Sequence, residues 1–148
     1  MERLSLGQTD IILAALAASR GAAHSPVQMQ KLLFLLDKRL ANELGGPHFN
    51  FIPHHYGPFD RTIYDLLEQL ATQGMVEILR NPALRWRNYR LTPEGQGAGE
   101  KILDQLDPHV SKYVRELSAF VRRLSFAELV SAIYAAYPEM KVNSAFRE

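Results

Sequence analysis

Apolar positions along the chain fall into runs with helical spacing, separated by caps and breakers. The first run, Ile11 to Ala18, follows Thr9 and Asp10 and ends at Arg20 and Gly21. It is apolar on nearly every side, which predicts a buried helix. Ser25, Pro26 and Gln28 read as a capping box with proline at the first helical position, opening a second helix over 26–44 that Gly45, Gly46 and Pro47 stop. Leu32, Leu33, Leu36, Leu40 and Leu44 form its stripe, and Lys31, Leu35, Lys38 and Asn42 fall on the other side. That is the pattern of a surface helix with one core face. Phe49, Phe51 and Ile52 suggest a short extended piece before a turn at Tyr56, Gly57 and Pro58, where Pro58 sets φ for helix entry. A third helix is expected over 59–73, with Phe59, Ile63, Leu66, Leu67 and Leu70 on one face and Gly74 as its stop.

The period then changes. MVEIL and WRNYRL, on either side of an Asn-Pro turn, predict a β-hairpin over 76–91. Thr92 with Pro93, Asp107 with Pro108, and Ser125 with Glu128 cap three further helices; the first of these carries Gly95, Gly97 and Gly99, which suit close packing or local fraying. Three helices, a hairpin and a return at LTPEG give the order of a winged-helix domain. The fold class expected is mainly α: a winged-helix-like core of three helices plus a β-hairpin, with additional C-terminal helices. A single domain over 1–148 is expected, divided into a core over 1–106 and a helical extension over 107–148. Leu13, Leu16, Leu33, Leu36, Leu40, Ile63, Leu67, Leu70, Ile78, Leu91, Val114, Leu117 and Ile133 are the expected buried set.

Composition narrows the function classes. The chain has 148 residues, 47% of them apolar, with 17 Lys plus Arg against 16 Asp plus Glu and no cysteine. Folding at this length can bury about 70% of the unfolded surface, so neither a disulfide nor a structural metal is needed. The absence of cysteine excludes a disulfide scaffold and a cysteine nucleophile and fits a reducing compartment. A net charge of +1 gives no general attraction to nucleic acid, so any DNA contact must rest on a local patch. The first residues lack the basic-then-apolar order of a signal peptide and no apolar run is long enough to span a membrane. A cytoplasmic protein without membrane contact is expected.

The hairpin holds that patch. Arg80, Arg85, Arg87 and Arg90 lie between Glu77 and Glu94 with no acid among them, and Trp86 and Tyr89 are interleaved. Arginine beside an aromatic suits phosphate gripping and base stacking, so Arg80, Arg85, Trp86, Arg87 and Arg90 are the candidate nucleic-acid contacts. The competing account is a solvated hairpin whose Trp86 packs on the core and whose arginines pair with acids. The third helix offers Asp60, Asp65 and Glu68 against Arg61, and the joint before it is about thirteen residues, where a helix-turn-helix needs about three or four. Both features count against major-groove reading. His48, His54 and His55 cluster, but neighbouring side chains of an extended segment point to opposite faces and no ligand at a recognised spacing completes a metal site. With no phosphate loop, nucleophile elbow or paired acids, the expectation is a protein that is not an enzyme and needs no cofactor or metal. Tyr113, Phe120, Phe126, Tyr134 and Tyr137 on the last two helices suggest a homodimer surface.

Gln30, Lys31, Leu32, Leu33, Phe34 and Leu35, an extended aromatic segment, Tyr56-Gly57-Pro58-Phe59, then Ile63, Tyr64, Leu67 and Leu70 resemble the prokaryotic SocA-like, or Panacea, domain over 26–74. There a KLLYL helix and a YGP turn lead into a further helix. The resemblance implies a cytoplasmic prokaryotic or phage protein, in a family that includes phage-associated proteins and antitoxins neutralising a toxin by direct binding. It makes a toxin-like protein the expected partner. Tyr56, Gly57, Pro58, Arg61 and Tyr64, near the turn and the third helix, are the candidate contacts. The alternative is a winged-helix DNA-binding transcription regulator working through the arginine hairpin.

Overall fold

Helix starts follow the capping side chains. The Ser25 and Ser125 hydroxyls accept the N–H of Gln28 and Glu128, whose side chains accept the serine N–H in return at 2.9 Å in both boxes. Thr92 Oγ1 accepts the Gly95 N–H in the same way. The computed structural model describes residues 5–80, 83 and 87–146. The helices are α1 (Gln8–Ala17), α2 (Pro26–Arg39), α3 (Thr62–Thr72), α4 (Pro93–Gln105), α5 (Pro108–Arg123) and α6 (Phe126–Ala136). The strands are β1 (Ile52–His54), β2 (Gly57–Phe59), β3 (Val76–Arg80) and β4 (Arg87–Leu91), and a 3-10 turn covers Pro138–Lys141.

The chain is mainly α with a winged-helix core. β3 and β4 pair antiparallel from Val76↔Leu91 to Arg80↔Arg87. Between α1 and α2, His24 forms a one-residue third strand: its N–H donates to the Tyr89 carbonyl at 2.8 Å and its carbonyl accepts the Tyr89 N–H at 2.9 Å. Helix, strand, helix, helix and wing therefore follow in winged-helix order. α5 packs on α2, and one apolar cluster joins residues of all six helices and the wing.

Several expectations need correction. α2 is not a surface helix: every residue from Met29 to Asp37 is buried, Lys31 included. Its polar side chains are drawn inward by the segment that follows. Asp37 accepts the N–H groups of His48 and Phe49 at 2.9 and 2.8 Å, and Gln30 makes two bonds to the Asp60 backbone at 2.9 and 3.0 Å. Backbone groups in a buried loop must be paired, so the inserted segment uses polar residues where sequence periodicity places solvent. α2 also stops at Arg39 rather than near Leu44. α3 starts at Thr62, because Phe59 lies in β2 opposite Ile52 and Pro58 lies opposite Pro53. Pro58 therefore serves a strand, not a helix entry; a two-stranded ribbon tolerates it because an edge position needs no N–H. The joint thus covers 40–61 and contains its own hairpin.

All of the expected buried set is buried except Ile78, which is half-exposed. All five aromatics that suggested a homodimer surface have partners within the chain, Phe126 meeting the rings of Tyr56 and Phe146. Tyr134 is buried, Tyr137 meets Phe34 edge-on at 4.9 Å, the Tyr113 hydroxyl accepts Arg39 Nη1 at 3.1 Å, and Phe120 lies under the Arg123 guanidinium. Phe126 is the exposed one. Among the described residues no helix is long and apolar enough to cross a membrane.

Candidate functional site

The YGP segment forms the tip and return of the β1–β2 hairpin. Gly57 has φ +105°, a conformation that favours glycine, and a Cβ there would lie 3.5 Å from Lys31 Nζ and Tyr134 Cε1. Residues 143–146 hold the tip from outside. Ala145 donates its N–H to the His55 carbonyl at 2.8 Å, Asn143 Nδ2 reaches the Pro53 carbonyl at 3.2 Å, and Ser144 links the turn to the Tyr134 hydroxyl. Sequence reasoning missed this strap, because most of its bonds go to backbone carbonyls and leave no side-chain motif.

Two spaces flank the hairpin. The outer one is a groove of about 440 Å³ lined by Ser25, Pro26, Val27, Tyr56 and Phe126. Tyr56 and Phe126 are 44% and 46% exposed and meet edge to face at 5.2 Å. The inner one is a cavity of about 170 Å³ into which α2 contributes Val27, Gln30 and Lys31, the hairpin His54, His55, Tyr56, Gly57 and Phe59, and α3 Tyr64. Val27 and Tyr56 line both.

Burial lowers the Lys31 amine to about 7. Burial also raises the Tyr64 phenol, against the opposing effect of Gln30 beside it. Of the candidate partner contacts, Tyr56, Gly57 and Tyr64 come together around the inner cavity. Pro58 is buried within β2, and Arg61 is exposed at the start of α3 without lining either space. Lys31 is the functional candidate that sequence reasoning missed. Its position in the helix reads as solvated, and the inserted hairpin, with Tyr64 of α3 and Tyr134 of α6, covers it.

His54 and His55 do not diverge as expected. Their rings stack at 4.4 Å, because His55 belongs to the turn and not to the strand, and His54 also stacks on Phe59. His48 lies elsewhere, its Nε2 at 2.8 Å from the Leu44 carbonyl. Among the described residues no three His, Asp or Glu side chains converge as a metal site would need.

Two of the four wing arginines pair with acids. Arg87 pairs with Glu68 of α3 at 2.5 Å, and Arg90 pairs with Glu77 across the ladder at 3.0 Å. Arg80 is exposed at the end of β3, opposite Arg87. Arg85 and Trp86 lie outside the described residues. Asp60, assigned from sequence to the polar face of the third helix, is instead buried before it and accepts the N–H groups of Asn50 and Thr62. Asp65 and Glu68 remain on the exposed face of α3.

No family model matches this chain, nor does any curated protein. Among solved structures, a mutant MarR from E. coli in complex with operator DNA is similar to it at 20% sequence identity and a TM-score of 0.40, over 90% of this chain and 75% of that one.

Proposed function

We propose that this chain is a non-enzymatic protein-binding module of SocA-like type, built on a winged-helix core, that seats a protein partner in the groove between Tyr56 and Phe126. One observation carries the reading: two half-exposed aromatics meet edge to face above Pro26 and Val27 in an apolar groove. Exposed aromatic anchors around an apolar recess are what a partner's apolar side chains bury most favourably. The resemblance to SocA-like domains makes a small toxin, neutralised by direct binding, the partner to try first. The test is co-expression with the product of a neighbouring small reading frame. Wild type should restore growth and co-purify with that product, and Tyr56→Asp with Phe126→Asp should lose both while keeping its helical circular dichroism. Undiminished co-purification by the double variant would remove the groove from the interface.

A second reading, a DNA-binding regulator, draws support from the wing itself, which carries Arg80, Arg87 and Arg90 beside α3. The acids already paired to Arg87 and Arg90, and Asp65 on the face of α3 that a groove-reading helix would turn to DNA, weigh against it.

A further inference from the structure

Lys31 is 3% exposed and makes no ion pair among the described residues. Its ammonium lies against Gly57, at the wall of the inner cavity. The groups that face it are His54 from β1, His55 and Tyr56 from the turn, Tyr64 from α3 and Tyr134 from α6. None of them is a carboxylate. The two buried acids of this region, Asp37 and Asp60, are bonded to backbone N–H groups of 48–62. A buried cation that lacks a counter-charge loses its hydration without recompense, and an anion that enters beside it restores the balance.

We propose that the inner cavity binds a small monocarboxylate, whose carboxylate pairs with the Lys31 ammonium while its apolar part lies against Val27 and Phe59. Three features select that ligand class. The site offers one buried cation, so a dianion would leave a charge uncompensated. Beyond Lys31, Val27, Phe59 and the tyrosine rings give an apolar wall, and Gln30, His54 and His55 supply uncharged or polar edges without a carboxylate. The volume, about 170 Å³, falls below the roughly 300–1,000 Å³ of drug-sized sites and suits a ligand of a few heavy atoms. The site shares Val27 and Tyr56 with the outer groove, but Lys31, which reads the carboxylate, lines the inner cavity and not the groove.

The probes are acetate and butyrate, with inorganic phosphate above its second pKa as the dianion control. The readout is the Lys31 Cε–Hε NMR signal of the intact chain followed through a pH titration. Saturating acetate or butyrate should raise the Lys31 midpoint from about 7 by a pH unit or more, equivalent to at least tenfold tighter binding to the charged form. Lys31→Met keeps an apolar stem of similar length and removes the buried charge, so it should fold and lose carboxylate binding at least tenfold by calorimetry. A Lys31 midpoint that neither carboxylate moves, equal binding by Lys31→Met, or phosphate binding as tightly as butyrate would each overturn the proposal. These readouts follow Lys31, which the outer groove does not include, whereas the protein-binding test reads Phe126, which the inner cavity does not include, so failure here is distinguishable from failure of that reading.

Discussion

Gly99 of α4 lies directly on Leu13 of α1: a Cβ at Gly99 would stand 2.5 Å from the Leu13 carbonyl oxygen. It would also stand 2.5 Å from the Ala17 Cβ, so both contacts are against groups that cannot swing aside. Gly97 lies on the exposed side of the same helix, and a Cβ there meets nothing within 4 Å. The two positions therefore answer one substitution with opposite signs. Gly99→Ala should destabilise by about 1–3 kcal/mol through overpacking, whereas Gly97→Ala should stabilise by up to about 1 kcal/mol through helix propensity. Thermal unfolding of both variants decides it, and a stabilised Gly99→Ala would mean that α1 and α4 are not in backbone contact.

These glycines also show how much the sequence can carry. Close packing was one of two readings open for Gly95, Gly97 and Gly99, and spacing cannot say which glycine faces a neighbour. The element order and most of the core were legible because caps such as Ser25 with Gln28 act locally. Lys31, Gln30 and Asp37 were not legible, since a polar residue buried by a distant loop has the same periodicity as a solvated one. His24 carries no strand pattern either. A single residue that completes a sheet leaves no period of two, and its pairing with Tyr89 is 65 positions away in the chain.

His24 is fully buried, and burial, reinforced by Arg122 and opposed in part by the Ala22 backbone beside the ring, lowers its pKa from 6.5 to about 4. Between those two values the unfolded chain holds a proton that the folded chain excludes. Stability should therefore fall as pH drops from 6.5 to about 4, by about 3 kcal/mol from this group, with no contribution above 6.5. Comparing urea unfolding at pH 7.5 and 4 for wild type and His24→Phe isolates the effect from the other titrating groups. An equal loss in both proteins would show that the His24 ring takes up its proton as readily folded as unfolded.

The ion pairs of the wing give the sharpest test between the two functional readings. Arg87 and Arg90 share their guanidinium groups with the exposed carboxylates of Glu68 and Glu77, whose negative charge offsets their pull on phosphate. Each phosphate contact contributes about −0.9 to the slope of log affinity against log salt on duplex DNA. With the charge of both arginines offset by neighbouring acids, wild type should bind random duplexes weakly and with a shallow slope. Glu68→Gln with Glu77→Gln should release the two guanidinium groups and steepen the slope by about 1.8. Fluorescence anisotropy across a salt series measures both. If wild type already shows a slope near −3.6, the value for about four contacts, and Arg87→Ala with Arg90→Ala halves it, the acids do not hold the wing. The regulator reading would then be favoured over the protein-binding one, because the wing would be making about four phosphate contacts, half of them through Arg87 and Arg90.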